Sequence, residues 1–200
     1  MKITSIKQQA KRTDRYSIFV DDKYCFSLSE TALLDSKLAS GQELDAEQIE
    51  GFKQLSADDK VYNQALRYVA MRPRSCWEVQ FYLERKHASP PLIELILNKL
   101  SVIGLLDDAK YAQAFVNDRR LLRPTSRRKI TAELKKKRIA SEVIEKVLGS
   151  GSADDQTALH SVIKSKRRQA KYQDDLKLMQ YLARQGFNYD DIKSALGTDA

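Results

Sequence analysis

The sequence contains an internal repeat, in which residues 111–148 and 159–196 align without a gap at a constant shift of 48. A weaker copy begins upstream, near Tyr62, and matches the middle copy at shifts of 49 to 51. Apolar side chains coincide at the pairs Tyr111/Leu159, Phe115/Ile163, Ile130/Leu178, Leu134/Leu182, Ile139/Phe187 and Ile144/Ile192. A period near 48 with three helical patterns per copy predicts stacked three-helix units, each burying its apolar stripe against itself and its neighbour. We therefore expect a mainly α-helical protein whose repeats form an elongated, curved array.

The start of the chain follows a different, strand-like pattern. Between residues 15 and 28, apolar and polar side chains alternate on both sides of Asp21-Asp22-Lys23, which supplies turn residues. This pattern predicts a β-hairpin. Ile3 and Ile6 predict a third strand, so the repeats should be preceded by a small antiparallel sheet.

Capping residues predict where the helices begin. Ser29 is suited to cap one short helix, and Asp45 followed by Gln48 predicts a capping box for another. In repeats one and two, the first helices are predicted to start at Asp58 and Asp107 and the second helices at Ser75 with Glu78 and at Ser126. The third helix of repeat one is predicted to start at Pro90-Pro91.

The chain is predicted to divide into four domains. Gly149-Ser150-Gly151-Ser152 is typical of a flexible joint. The predicted domains are 1–55 (β-hairpin plus short helices), 57–104 (repeat one), 105–150 (repeat two, basic) and 154–200 (repeat three).

The turn between the second and third helices differs among the copies. The third copy has Gly186 there, which suits a left-handed helix end, whereas Arg138 and His87 occupy the same place in the other two copies. A residue other than glycine would cost roughly 1 kcal/mol in that conformation. Either the turn geometry differs between copies, or a charged residue is tolerated for another reason.

Positive charge is concentrated in the middle repeat. Ten basic and two acidic side chains lie between residues 118 and 138, an excess equal to the net charge of +8 for the whole chain. Such an excess favours an anionic partner, although a solvated helix face is the alternative. Arg127, Arg128 and Lys129 follow the predicted cap Ser126, where each cation opposes the helix dipole by a few tenths of a kcal/mol up to about 1 kcal/mol. Because stability alone would favour acids there, this placement indicates binding.

The predicted binding surface comprises Arg119, Arg120, Arg123, Arg127, Arg128, Lys135, Lys136 and Lys137. Lys135, Lys136 and Lys137 lie near a helix C-terminus, where cations also stabilise the helix. Arg72 and Arg74 flank the turn before Ser75 and are candidates either for a secondary contact or for a local structural role.

Motifs of catalysis and metal binding are not found in the sequence. It has no glycine-rich phosphate loop followed by lysine, no His-Glu helix motif and no nucleophile elbow. The cysteines Cys25 and Cys76 lack metal-ligand spacing, and capping explains Asp107. We expect no enzymatic activity, catalytic residue, cofactor or metal. Without an apolar leader or an apolar run of about 20 residues, we also expect a cytoplasmic protein that does not enter membranes.

Several motifs resemble those of the RecX regulatory proteins. The central part of the signature is Gly104-Leu105-Leu106-Asp107-Asp108, Tyr111-Ala112, Phe115-Val116, Arg119, Ile130, Glu133-Leu134 and Lys137. The upstream Arg67-Tyr68, Arg72, Arg74-Ser75 and Glu78 resemble the first repeat of that family, and Tyr16, Asp21-Asp22, Tyr24 and Gly41-Gln42-Glu43-Leu44 resemble its N-terminal extension. The resemblance implies a non-enzymatic modulator that binds the RecA filament along its helical groove, and that inhibits ATP hydrolysis, strand exchange and filament growth.

Two functional hypotheses follow. In the first, the protein is a monomeric regulator of the RecA filament, and its basic repeat faces acidic protein surface or DNA phosphates. In the second, it is a stand-alone DNA-binding protein that binds single- or double-stranded DNA without sequence preference. Five phosphate contacts would then give a slope of about −4.5 in log affinity against log salt on duplex DNA. The exposed residues of the basic repeat are predicted to be nearly all Lys, Arg and Glu, which suits contact with a backbone or a protein surface rather than base reading.

Overall fold

The computed structural model describes residues 1–149 and 153–197. The three strands of the described residues are β1 (Ile3–Gln9), β2 (Arg12–Val20) and β3 (Lys23–Ser29). Their helices are α1 (Glu30–Ser36), α2 (Ala46–Met71), α3 (Cys76–Glu84), α4 (Pro90–Val102), α5 (Asp108–Leu122), α6 (Arg127–Lys136), α7 (Ser141–Leu148), α8 (Ala153–Lys166), α9 (Asp175–Arg184) and α10 (Tyr189–Leu196). The protein is therefore mainly helical with a small N-terminal sheet, as predicted.

The chain divides into two compact units. Unit 1 comprises Met1–Arg72 and Val79–Leu105, and unit 2 comprises Pro73–Glu78 and Leu106–Ala200. The first turn of α3 thus belongs to unit 2 and the rest of that helix to unit 1. Of the predicted joint before the third repeat, residues 150–152 lie outside the described residues.

The sheet of unit 1 is antiparallel, with β2 between β1 and β3. Asp21 and Asp22 have φ angles of 47° and 62°, as a type I′ hairpin turn requires, and Val20 pairs with Lys23 across this turn. The core against the sheet consists of Ile3, Ile18, Val20, Phe26, Leu28, Leu38, Leu44 and Ile49. The predicted hairpin and third strand are confirmed.

Helix α2 corrects the prediction of two shorter helices with a new start at Asp58. It runs without a break for 26 residues from the capping box of Asp45 and Gln48. Ser56 and Asp59 are residue types that are unfavourable inside helices and common at helix starts, but here their side chains bond to the sheet. Ser56 Oγ donates to the carbonyl oxygen of Ser27 at 2.6 Å. Asp59 Oδ2 accepts from Arg15 Nη1 at 2.9 Å, with both side chains buried. These tertiary bonds hold α2 against β2 and β3.

The two repeats of unit 2 have separate cores at matching positions. Repeat two buries Tyr111, Ala112, Val116, Ile130, Leu134, Ile139, Ile144 and Leu148. Repeat three buries Leu159, Val162, Tyr172, Leu178, Leu182, Phe187 and Ile192. Most of the pairs aligned by the 48-residue shift are therefore buried in both copies, because each repeat packs the same three helical stripes.

The turn between the second and third helices has the same left-handed geometry in all three copies. The φ angles are 59° at His87, 59° at Arg138 and 86° at Gly186. In each copy the next residue donates its backbone N–H to the carbonyl five residues earlier, as in a Schellman motif, at 3.2, 3.2 and 3.4 Å. The alternative of a different turn geometry is therefore wrong, and Arg138 and His87 adopt a conformation that favours glycine.

Replacing Arg138 with glycine is expected to raise the free energy of unfolding of unit 2 by about 1 kcal/mol, because glycine removes the left-handed strain. Arg138 is exposed and makes no side-chain ion pair with any described residue, so little is lost. Urea denaturation followed by circular dichroism measures the change. The matched variant Gly186→Ala should have the opposite sign, because its Cβ would lie 2.6 Å from Ser126 Oγ. A destabilised Arg138→Gly protein would contradict this interpretation.

Candidate functional site

The eight residues of the predicted binding surface lie in unit 2, five of them around the turn between α5 and α6 and three at the C-terminal end of α6. Arg119 and Arg120 are in the last turn of α5, and Arg123 follows that helix directly. Arg127 and Arg128 open α6, whose cap is Ser126 as predicted; its Oγ accepts from the backbone N–H of Lys129 at 3.1 Å. Lys135 and Lys136 end α6 and Lys137 is its C-cap.

Two of these cations hold helices of unit 2 together. Arg119 Nε donates to Glu133 Oε2 at 2.8 Å, and its guanidinium carbon lies 4.6 Å from the centre of the Phe115 ring. Lys137 Nζ donates to Glu78 Oε1 at 2.7 Å. Glu78 also closes the predicted capping box of α3, because its side chain accepts from the backbone N–H of Ser75. Lys137 therefore joins the C-terminal end of α6 to the first turn of α3, within unit 2.

Arg120 and Arg127 bind to the start of the third repeat and the end of α7. Arg120 Nη2 lies 2.5 Å from Asp154 Oδ2. Arg127 Nη1 donates to the carbonyl oxygens of Leu148, at 3.1 Å, and Gly149. The backbone N–H of Arg127 donates to Asp155 Oδ1 at 2.6 Å. Asp155 thus brings one negative charge to the cationic N-terminus of α6, a contact that the dipole argument from the sequence did not include.

The same contact between consecutive repeats occurs one repeat earlier. There the backbone N–H of Cys76, at the start of α3, donates to Asp108 Oδ1 at 2.8 Å. Burial, together with the Asp108 carboxylate, raises the pKa of the Cys76 thiol to about 11, so this cysteine stays protonated at neutral pH. In both cases an acid in the first helix of one repeat caps the second helix of the repeat before it. We name this contact the relay cap.

Four of the predicted cations have no such internal role. Arg123, Arg128, Lys135 and Lys136 are exposed, and their side chains make no ion pair or hydrogen bond with residues 1–149 or 153–197. Because their charges are not offset by a bonded carboxylate, they are the members of the predicted surface that are available to an anionic partner.

The structure adds a groove that the sequence did not indicate. We name it the basic groove; it has a volume of about 490 Å³, lies between the α5–α6 turn and helices α8 and α9, and carries the cations Arg119, Arg123, Lys129 and Lys166. Its one carboxylate, Glu133, is already bound by Arg119.

Two adjacent leucines at the edge of the basic groove are almost fully exposed. Leu121 is 83% and Leu122 is 71% exposed. The sequence contains one signal of this groove: Leu121 and Leu122 are adjacent, lie between arginines and fall outside the apolar stripe of α5. The combination fits a partner that is anionic and also offers apolar surface.

Arg72 and Arg74 have interaction partners within the protein, and Arg74 is half-buried. Neither residue is therefore counted among the cations that are available to a partner. Asp107 caps α5 as predicted. A hydrogen bond from the backbone N–H of Lys110 lowers the pKa of the Asp107 carboxyl group.

Among the described residues no cluster of three or more His, Cys, Asp or Glu side chains could hold a metal ion. No described helix is long and apolar enough to cross a membrane.

Family models match three parts of the chain. The N-terminal domain of regulatory protein RecX matches residues 1–45, the first three-helix domain of RecX matches residues 62–100, and the second three-helix domain of RecX matches residues 107–148. The residues of the basic groove that belong to α5 and α6 fall in the last of these matches.

Curated relatives and solved structures agree with these matches. The regulatory protein RecX of Bacillus subtilis (strain 168) is 31% identical over 199 residues, which cover 97% of this chain and 75% of the relative. The regulatory protein RecX of Lactobacillus johnsonii is 36% identical over 143 residues, covering 72% of this chain and 52% of that protein, so the chain spans about half of this second relative. A crystal structure of regulatory protein RecX superposes with a TM-score of 0.76 at 26% identity and covers 98% of both chains.

Proposed function

Because this chain belongs to the RecX family of regulatory proteins, we propose that it binds the nucleoprotein filament of RecA recombinase as a monomer and inhibits its ATPase, strand exchange and growth. The protein acts by binding and not by catalysis. In this role unit 2 supplies the docking surface, through the basic groove, which includes Arg123, and through the other available cations of α6, Arg128, Lys135 and Lys136.

The observation that carries this proposal is the pairing of cations with exposed leucines in one groove. Arg123 stands beside Leu121 and Leu122 along the lining. DNA phosphates offer nothing to an exposed leucine, whereas a filament that presents both protein surface and DNA satisfies the cations and the leucines together. Apolar contact and charge complementarity are then used at the same interface.

The alternative is a stand-alone DNA-binding protein, which the available cations also support. Arg123, Arg128, Lys135 and Lys136 could each meet a phosphate, which gives a salt slope of about −3.6 on duplex DNA. These four side chains are all Arg or Lys, which bind phosphates in any sequence, so this alternative needs only contacts to the DNA backbone. Under this alternative, bare DNA and RecA-coated DNA are bound comparably at the same salt concentration.

The experiment that tests the proposal is RecA ATPase turnover on single-stranded DNA, measured with increasing amounts of this protein. We expect turnover to fall at concentrations below those needed to bind the same DNA without RecA. Fluorescence anisotropy on labelled DNA, with and without RecA, measures the concentration of this protein that is needed to bind the DNA. Unchanged ATPase turnover together with tight binding to bare DNA would favour the alternative. Unchanged turnover without binding to bare DNA or to RecA-coated DNA would exclude both functions.

A further inference from the structure

Unit 1 contains a second groove, with an apolar floor. It lies between α1, α2 and α4, has a volume of about 560 Å³, and is lined by Phe52, Leu55, Leu66, Leu92 and Leu95. Leu55 is 38% and Leu95 is 49% exposed. Since neighbouring apolar side chains line one groove, they form a continuous surface and not scattered exposed residues.

The rim of this groove is acidic. Asp14, Glu30, Asp35 and Asp58 line it, against the single cation Lys99, whose Nζ lies 5.5 Å from the centre of the Tyr62 ring. Asp14 has only a long contact of 3.8 Å with Arg67, and both of those side chains are more than half exposed. Glu30 and Asp35 are exposed and form no ion pair with the described residues. We name this groove, with its rim, the acidic groove.

The length of the acidic groove decides between a small ligand and a peptide. Its volume alone would suit a small molecule. However, α2 lines it from Phe52 to Leu66, and 14 steps of about 1.5 Å give a length of about 21 Å, or four helical turns. An open groove of that length with apolar side chains along its floor suits an amphipathic helix, which inserts anchors spaced three or four residues apart.

We propose that the acidic groove docks an amphipathic helical segment of a partner protein, with leucine-like anchors on one face and Lys or Arg on both sides of them. The argument for this occupant is complementarity: apolar anchors cover the floor, and basic side chains meet the rim. This surface belongs to unit 1 and has the opposite charge from the basic groove. The inference therefore stands or falls independently of the proposed function.

The first test uses synthetic peptides and the full chain. The probe is a fluorescein-labelled helical peptide of about 15 residues, which spans the groove, with leucines along one face and lysines beside them. One control peptide replaces every lysine with glutamate, and another replaces every leucine with alanine. We expect anisotropy to show saturable binding of the probe that weakens with salt, and at least about tenfold weaker binding of each control. Equal binding of the probe and the glutamate control would overturn the proposal.

The second test changes the groove. The double variant Glu30→Lys with Asp35→Lys is expected to weaken binding of the lysine peptide by about tenfold, because two attractions become repulsions. The matched control reverses Glu43 and Glu47, which are exposed acids of unit 1 that do not line the groove, and should leave binding unchanged.

A third variant, Leu95→Ala, tests the floor without a change of charge, and it too should weaken binding. Circular dichroism verifies that each variant is folded. Binding that is the same for the original chain, the double variant and Leu95→Ala would overturn the proposal. The proposal would also be overturned if sedimentation showed that the original chain self-associates and that the double variant does not, because the occupant would then be a second copy of this chain.

Discussion

Reversing Arg123 and Arg128 to glutamate is expected to raise the concentration of this protein needed for half-maximal inhibition of RecA ATPase by at least about tenfold. Both arginines are exposed and neither makes an internal ion pair with the described residues, so reversal turns two attractions into repulsions without removing a structural bond. If both contact phosphates, the salt slope of binding should also become less negative by about 1.8. ATPase titrations at several salt concentrations measure both effects.

The matched control is the reversal of Lys11 and Lys60, exposed lysines of unit 1, which changes the net charge by the same amount. This control should inhibit like the original protein. Arg127→Glu would be a poor test of contact, because Arg127 also bonds to the carbonyl oxygens at the end of α7. An unaltered inhibition curve for the Arg123 and Arg128 double variant would remove these residues from the proposed docking surface.

Replacing Asp59 with alanine is expected to lower the free energy of unfolding of unit 1 by about 3 to 5 kcal/mol. Asp59 accepts from Arg15 Nη1, from the backbone N–H of Ser29 and from Ser29 Oγ, at 2.9, 2.9 and 2.5 Å. Its loss leaves the Arg15 guanidinium, whose side chain is only 6% exposed, without a counter-charge. Urea denaturation monitored by circular dichroism measures the difference.

The neighbouring Asp58 supplies the control, since it is half-buried and bonds only to Gln54 among the described residues. Asp58→Ala should change stability by less than about 1 kcal/mol. The double replacement Arg15→Met with Asp59→Leu should recover much of the loss, because it removes both buried charges. If Asp59→Ala were as stable as Asp58→Ala, the ion pair would not hold α2 to the sheet.

The repeats could be predicted from the sequence because their signals are local. An apolar stripe such as Ile130 and Leu134 recurs at the helical period, and the caps Ser126 and Asp107 stand next to the helices they begin. The 48-residue shift then locates the same core positions in the third repeat. The predicted turn at Gly186 followed from a single residue type, but the left-handed conformation of Arg138 did not, because arginine rarely adopts it.

The errors come from contacts between residues that are distant in the sequence. The break expected at Asp58 does not occur, because Ser56 and Asp59 bond to strands about 30 or more residues earlier and not to the backbone of their own helix. In the same way, the cations at the start of α6 were interpreted without Asp155, which lies 28 residues beyond Arg127. Tertiary ion pairs therefore determine which arginines are available to a partner. Such pairs produce no periodic pattern in a sequence.

The relay cap makes each repeat depend on the one that follows. If the first turn of α8 melts, Asp155 leaves the start of α6, which then keeps three cationic side chains with only the Ser126 cap to oppose them. Fraying therefore spreads towards the N-terminus, from repeat three into repeat two. Neighbouring repeats should consequently lose their structure in one concerted transition, and amide hydrogen exchange at the start of α6 should track that of α8.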